Sequence, residues 1–127
     1  MESIDPEAAL TAVELARLSG AVPTDISYWG KAGYLKKRLH SSSPFPISQL
    51  PKAKMMVLLA KRLQIKAKKA SELADEFLRP YQDRPDAFTA MVAVVQALDT
   101  KITQFVDLIL ELDLVARIRE IVGEEPS

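Results

Sequence analysis

The sequence predicts an all-α protein, a compact bundle of about four to five helices, and three observations carry that expectation. Apolar residues recur at spacings of three and four over long stretches, which is the period of a helix and not of a strand. Glycine is scarce, four residues in 127, whereas sandwiches and barrels need it often at their corners. The composition, 48% apolar and 27% charged, is that of a chain that forms a core, and the length fits one helical domain over residues 1–127.

Asp5 followed by Pro6 predicts the cap and first turn of a helix over 6–19, with Gly20 closing it. After a turn at Gly20 to Pro23, Thr24 or Asp25 is placed to cap a second helix, whose Tyr28, Ala32, Leu35 and Leu39 share one face. Gly30 and Gly33 weaken that helix. Ser41-Ser42-Ser43-Pro44-Phe45-Pro46 cannot sustain a helix interior and predicts an exposed loop.

Nothing breaks a helix between Pro51 and Leu78, and Met56, Leu59, Leu63, Ala67, Ala70, Ala74 and Phe77 fall on one side of it. Lys61, Arg62, Lys66, Lys68 and Lys69 fall on another side, with Leu58 and Ile65 among them, so that face also offers apolar surface to a neighbouring subunit. Pro80 and Pro85 bracket a turn, after which Asp83 or Asp86 caps the last helical region. From there to Gly123 neither proline nor glycine occurs. One helix of that length would run some 55 Å at 1.5 Å per residue, long for a domain of this size, so a break is expected at Asp99-Thr100 or, second, at Asp113. Of the 36 residues from Ala87 to Val122, 23 are apolar, more than one helix stripe requires; these residues either form the bundle's centre or are covered in part by another chain.

Formal charge sums to zero, yet it is segregated along the chain. Residues 1–25 hold five acids and one base, and residues 72–127 hold twelve acids and five bases. Between them Lys31, Lys36, Lys37, Arg38, Lys52, Lys54, Lys61, Arg62, Lys66, Lys68 and Lys69 stand without one Asp or Glu, +11 over 46 residues. Such a block attracts polyanions while the rest of the molecule keeps its solubility. Tyr28, Trp29, Tyr34 and Phe45 are interleaved with it, and exposed aromatic faces stack on unpaired bases as lysines neutralise phosphates. The competing reading makes Tyr28 and Trp29 core anchors and the lysines solvated surface; an acidic protein or an anionic membrane is a further possible partner.

Chemistry has little support in the residues. Without cysteine, disulfides, thiolate metal sites and cysteine nucleophiles are excluded, and the single histidine, His40, makes a transition-metal site improbable. Ser41, Ser42 and Ser43 lack the glycine-rich turn and positioned base of a serine nucleophile. Glu72, Asp75, Glu76, Asp83 and Asp86 are the acids that could pair or hold magnesium, but runs of this kind ordinarily lie on solvated helix faces. No phosphate loop or dinucleotide fingerprint occurs. A non-enzyme without metal or cofactor is expected. The longest unbroken apolar runs, six residues each as in Ala90 to Val95, are far short of the roughly 20 residues of a bilayer span. The acidic N-terminus also lacks a signal peptide's basic start, so a cytoplasmic protein with no membrane partner is expected.

In length, helical class, lack of catalytic residues and a basic segment from Lys31 to Lys69, the chain resembles the small helical subunits of CRISPR Cascade-type effector complexes of antiviral defence. The resemblance is one of type over the whole chain. It implies several copies along a guide RNA that stabilise the bound target or the displaced strand through phosphate contacts, with sequence read by base pairing. The expected function is therefore a non-catalytic subunit of a ribonucleoprotein or effector complex that contacts the backbone of RNA or single-stranded DNA, together with other protein subunits or further copies of itself. A helical adaptor that binds an acidic protein is the alternative. No short turn sets a recognition helix behind a supporting one, as a helix-turn-helix factor requires.

Overall fold

The computed structural model describes residues 8–123, and among them the protein is all-α, with five α-helices and one pair of two-residue strands. By their internal packing the residues divide into two units, the first ending at Val95 and the second beginning at Gln96.

In the first unit, β1 (Ala9–Leu10) leads into α1 (Ala12–Ser19). The helix begins at a reciprocal cap: Glu14 N–H donates to Thr11 Oγ1 at 3.1 Å, and Thr11 N–H donates to Glu14 Oε1 at 3.0 Å. It therefore starts six residues later than the Asp5-Pro6 signal implied, and those two residues lie outside the described ones. It ends as expected at Gly20, whose φ of 85° belongs to the left-handed region and whose N–H donates to Ala16 O at 2.9 Å. Pro23 occupies the first turn of α2 (Pro23–Lys31), with Val22 at the cap in place of Thr24 or Asp25.

Helix α2 stops at Lys31, eight residues short of Leu39. Tyr34 and Leu35 both donate their N–H groups back to Trp29 O, at 2.9 and 3.2 Å, and Gly33 takes a φ of 82°. This turn buries Leu35 and leaves Leu39 and Tyr28 exposed, so the four residues placed on one face do not share one. The serine-proline stretch is a loop only up to Pro44. Phe45–Pro46 form β2, antiparallel to β1 with Leu10 opposite Phe45, and both of its residues are buried.

The predicted helix from Pro51 to Leu78 is two. Helix α3 (Leu50–Met56) widens into a π-helical turn over Val57–Arg62, where Leu63 N–H reaches Leu58 O at 3.1 Å. Gln64 then adopts a φ of 56°, and α4 (Ala67–Leu78) begins. Reversal lets α3 and α4 pack together, with the small residues Ala70, Ser71 and Ala74 buried. Burial prevails here over helix propensity, since residues 51–78 in one straight helix could not fold back on themselves. The same reversal buries Leu58 and half-buries Ile65 while exposing Leu63 and Phe77, which corrects the expected division of faces. Leu15, Ile26, Trp29, Met55, Met56, Leu59 and Leu78 complete this core.

A short 3₁₀ turn at Arg79–Tyr81 and the proline-bracketed turn precede α5 (Ala87–Val122), which is unbroken. Its first nine residues close the first unit and the remainder forms the second. No break occurs at Asp99-Thr100 because Thr100 Oγ1 donates to Gln96 O, 3.1 Å away in its own helix, and does not cap a new one. Beyond residue 104 the large apolar side chains described are not the buried centre of a bundle: Phe105, Leu108, Leu112 and Ile118 are all more than half exposed. No helix among the described residues is long and apolar enough to cross a membrane.

Candidate nucleic-acid interface

Lysines 31, 36 and 37 and Arg38 belong to the segment that leaves α2, and local bonding holds that segment in shape. Leu35 is buried as an anchor in its middle. On the far side Lys36 N–H donates to Gln49 Oε1 at 2.9 Å, and Arg38 N–H donates to Pro44 O at 2.7 Å. With the backbone pinned on both sides of Leu35, the four basic side chains are all exposed. Gly30 permits this arrangement: a Cβ there would stand 3.1 Å from the Phe45 ring and 3.3 Å from Lys37 Cδ.

The aromatic residues divide between core and surface. Trp29 and Phe45 are each 2% exposed and serve as core anchors. Tyr28, 58% exposed, and half-buried Tyr34 meet edge to face with centroids 6.5 Å apart. These two tyrosines and the four cations come from eleven consecutive residues, 28–38.

The rest of the basic block is less uniform. Lys52 Nζ lies 2.9 Å from Asp75, and its side chain is only 15% exposed. Lys61 Nζ sits 3.0 Å from Asp25 Oδ2, and Lys69 lies 3.9 Å from Glu72. Acids from both flanking segments are thus folded onto the acid-free stretch, which a count along the chain cannot register. Lys54 is half-buried on α3, while Arg62, Lys66 and Lys68 are exposed around the turn into α4. Lys36 and Lys52, sixteen residues apart in the chain, do come together, lining a hollow of about 430 Å³ with Tyr34, Gln49, Asp75 and Gln82. That volume falls within the range of small-molecule sites, and its walls carry both donors and an acceptor carboxylate.

The acids considered for chemistry are spread over the surface. Glu72, Glu76, Asp83 and Asp86 are exposed, and Asp86 is held by Arg84 at 2.9 Å. Among the described residues no three His, Cys, Asp or Glu side chains are placed to hold a metal ion. His40 is exposed with a φ of 60°, and Ser41 Oγ accepts from Ser43 N–H at 3.2 Å within the loop. The hydrogen bond from Thr11 N–H holds the Glu14 carboxyl below its usual pKa range. No family model matches the chain, and neither a curated protein nor a solved structure resembles it at a significant level.

Proposed function

We propose that the protein is a non-catalytic nucleic-acid-binding subunit that holds the backbone of RNA or single-stranded DNA through residues 28–38. The observation that carries this reading is the pairing of exposed Tyr28, backed edge to face by half-buried Tyr34, with four exposed cations on one pinned segment. Lys31, Lys36, Lys37 and Arg38 displace counterions from phosphates, and the Tyr28 face offers a stacking platform to an unpaired base. The hollow beside Tyr34 provides room for a base turned out of the strand, with Gln49 and Gln82 amides at its wall. Lys66 and Lys68 extend the contact, whereas Lys52, Lys61 and Lys69 serve chiefly to pair with Asp75, Asp25 and Glu72. A place within a CRISPR-type effector assembly fits this role, with sequence read by base pairing and the strand held by this protein.

Fluorescence anisotropy with labelled oligonucleotides of unrelated sequence tests the proposal. Single strands of RNA or DNA should bind with similar affinity whatever their sequence, because phosphate contacts position a strand without reading it. Tyr28→Ala should weaken binding by about 1–3 kcal/mol, the usual worth of one base–aromatic stack. Absence of binding at low salt, with retention of an acidic polypeptide instead, would transfer the role to a protein-interaction adaptor.

A further inference from the structure

On α5, Phe105, Leu108, Leu112, Val115 and Val122 recur at spacings of three and four, interrupted once by Arg119, and every one of the five is between 41% and 64% exposed. This is the spacing that two helices use along their seam when they pair as a coiled coil. We infer that the seam is covered by the same seam of a second copy of this chain, running antiparallel, so that two α5 helices form a closed, two-fold symmetric dimer.

Three features of the helix select that occupant. The first is area. At these exposures the five side chains offer roughly 500 Å² per copy, hence on the order of 1,000 Å² from two, the size at which a specific interface becomes distinguishable from a chance contact.

The second is the fit of charge. Between Phe105 and Asp113 the helix carries Asp107, Glu111 and Asp113 and no base, whereas the half that follows carries Arg117, Arg119 and Glu120, with Arg117 paired to Asp113 at 3.2 Å in its own helix. A parallel pair would set acids against acids and bury Arg119 against its own image in the seam. An antiparallel pair with its axis between Leu112 and Val115 sets Phe105 opposite Val122, Leu112 opposite Val115, and Arg119 opposite Leu108. Arg119 then lies within one turn of the second copy's Asp107 and Glu111. The placement of Arg119, beside acids in one orientation and against a second arginine in the other, is what favours the antiparallel pair.

The third is the dispersal of charge around the helix. An interfacial membrane helix needs one continuous polar face, but here the charges fall on three sides: Asp113, Arg117 and Glu120 share one, Asp107 and Glu111 lie on a second, and Arg119 lies in the seam itself. Leu110, Leu114, Ile118 and Ile121 form a different stripe, which has Asp107 within it and is set off from the seam by Glu111. That stripe supplies the internal control.

Sedimentation equilibrium of the full chain between about 1 and 100 µM should show a monomer–dimer equilibrium or a stable dimer. Leu108→Lys combined with Leu112→Lys should weaken association at least 100-fold, with helix content by circular dichroism unchanged in the first unit's melting transition. Leu114→Lys combined with Ile118→Lys should leave association within a few-fold of the parent. Because the chain has no cysteine, orientation can be read directly. A Phe105→Cys copy mixed with a Val122→Cys copy should give the mixed disulfide in excess over either like pair. A monomer throughout the concentration range, like-pair disulfides predominating, or equal loss of association from the control stripe would each overturn the inference. So would recruitment of the monomer to vesicles containing anionic phospholipid.

Discussion

The turn at Gln64 allows a test whose sign, and not only its size, depends on the fold. Its φ of 56° places an L-residue in the left-handed region, which costs roughly 1–2 kcal/mol relative to glycine before the larger unfolded-state entropy of glycine is deducted. Gln64→Gly should therefore be more stable than Gln64→Ala by about 1 kcal/mol. Were residues 51–78 one continuous helix, as the spacing of apolar residues suggests, alanine would be the more stable by about the same amount. The two folds differ by about 2 kcal/mol in this one comparison. Urea unfolding followed by circular dichroism resolves it: with a slope near 2 kcal/mol per molar, the glycine variant should have a midpoint roughly 0.5 M higher than the alanine variant. A midpoint higher for alanine would refute the break between α3 and α4, and with it the pairings that divide Lys61 from Lys66.

Gly30→Ala sets a helix-propensity gain of up to ~1 kcal/mol against a Cβ contact at 3.1 Å with the Phe45 ring, which is held in the core; the contact should prevail and lower stability by about 1 kcal/mol, and a raised melting temperature would show that Phe45 does not lie as described. Thr11→Ala should cost about 1 kcal/mol through loss of the cap on α1, measured by the same unfolding curves. Because Glu14 is held below its usual pKa, its stabilisation is fully present above the ordinary glutamate value of about 4.3 and is lost as the pH falls through the lower folded value. Glu14→Gln should flatten that acid limb of the stability profile, and an identical limb in both proteins would count against the reciprocal cap.

The helical class was legible because the three-to-four spacing dominates most of the chain, and the glycine at position 20 marked the end of α1 correctly. Thr11-x-x-Glu14 carries the capping-box signature, yet Asp5-Pro6 is an equally good start signal and lies nearer the terminus. Two boundaries were not legible for a physical reason. Residues 51–78 obey a helical period on both sides of Gln64, so local pattern cannot reveal a reversal that tertiary burial of Ala70 and Ala74 demands. At Thr100 the opposite occurs, because a good capping residue is satisfied inside its own helix by Gln96 O. Of the candidate interface, the basic block and its tyrosines could be read directly. That Asp25 and Asp75 fold onto Lys61 and Lys52 could not, since opposite charges 36 and 23 residues apart leave no mark in a local count.

The salt dependence of binding to a single-stranded oligonucleotide tests the central claim most directly. If residues 28–38 hold the backbone, replacing Lys31, Lys36 and Lys37 by glutamine should reduce the slope of log affinity against log salt by about 2 units, near 0.7 for each contact removed from a single strand. Replacing Lys61, Lys69 and Lys101 removes the same formal charge, but two of these lysines face Asp25 and Glu72 and the third lies outside the basic block. That second variant should retain nearly the parent slope. Equal slopes for the two variants would contradict the account, because they would mean that net charge, and not the pinned segment after α2, attracts the strand.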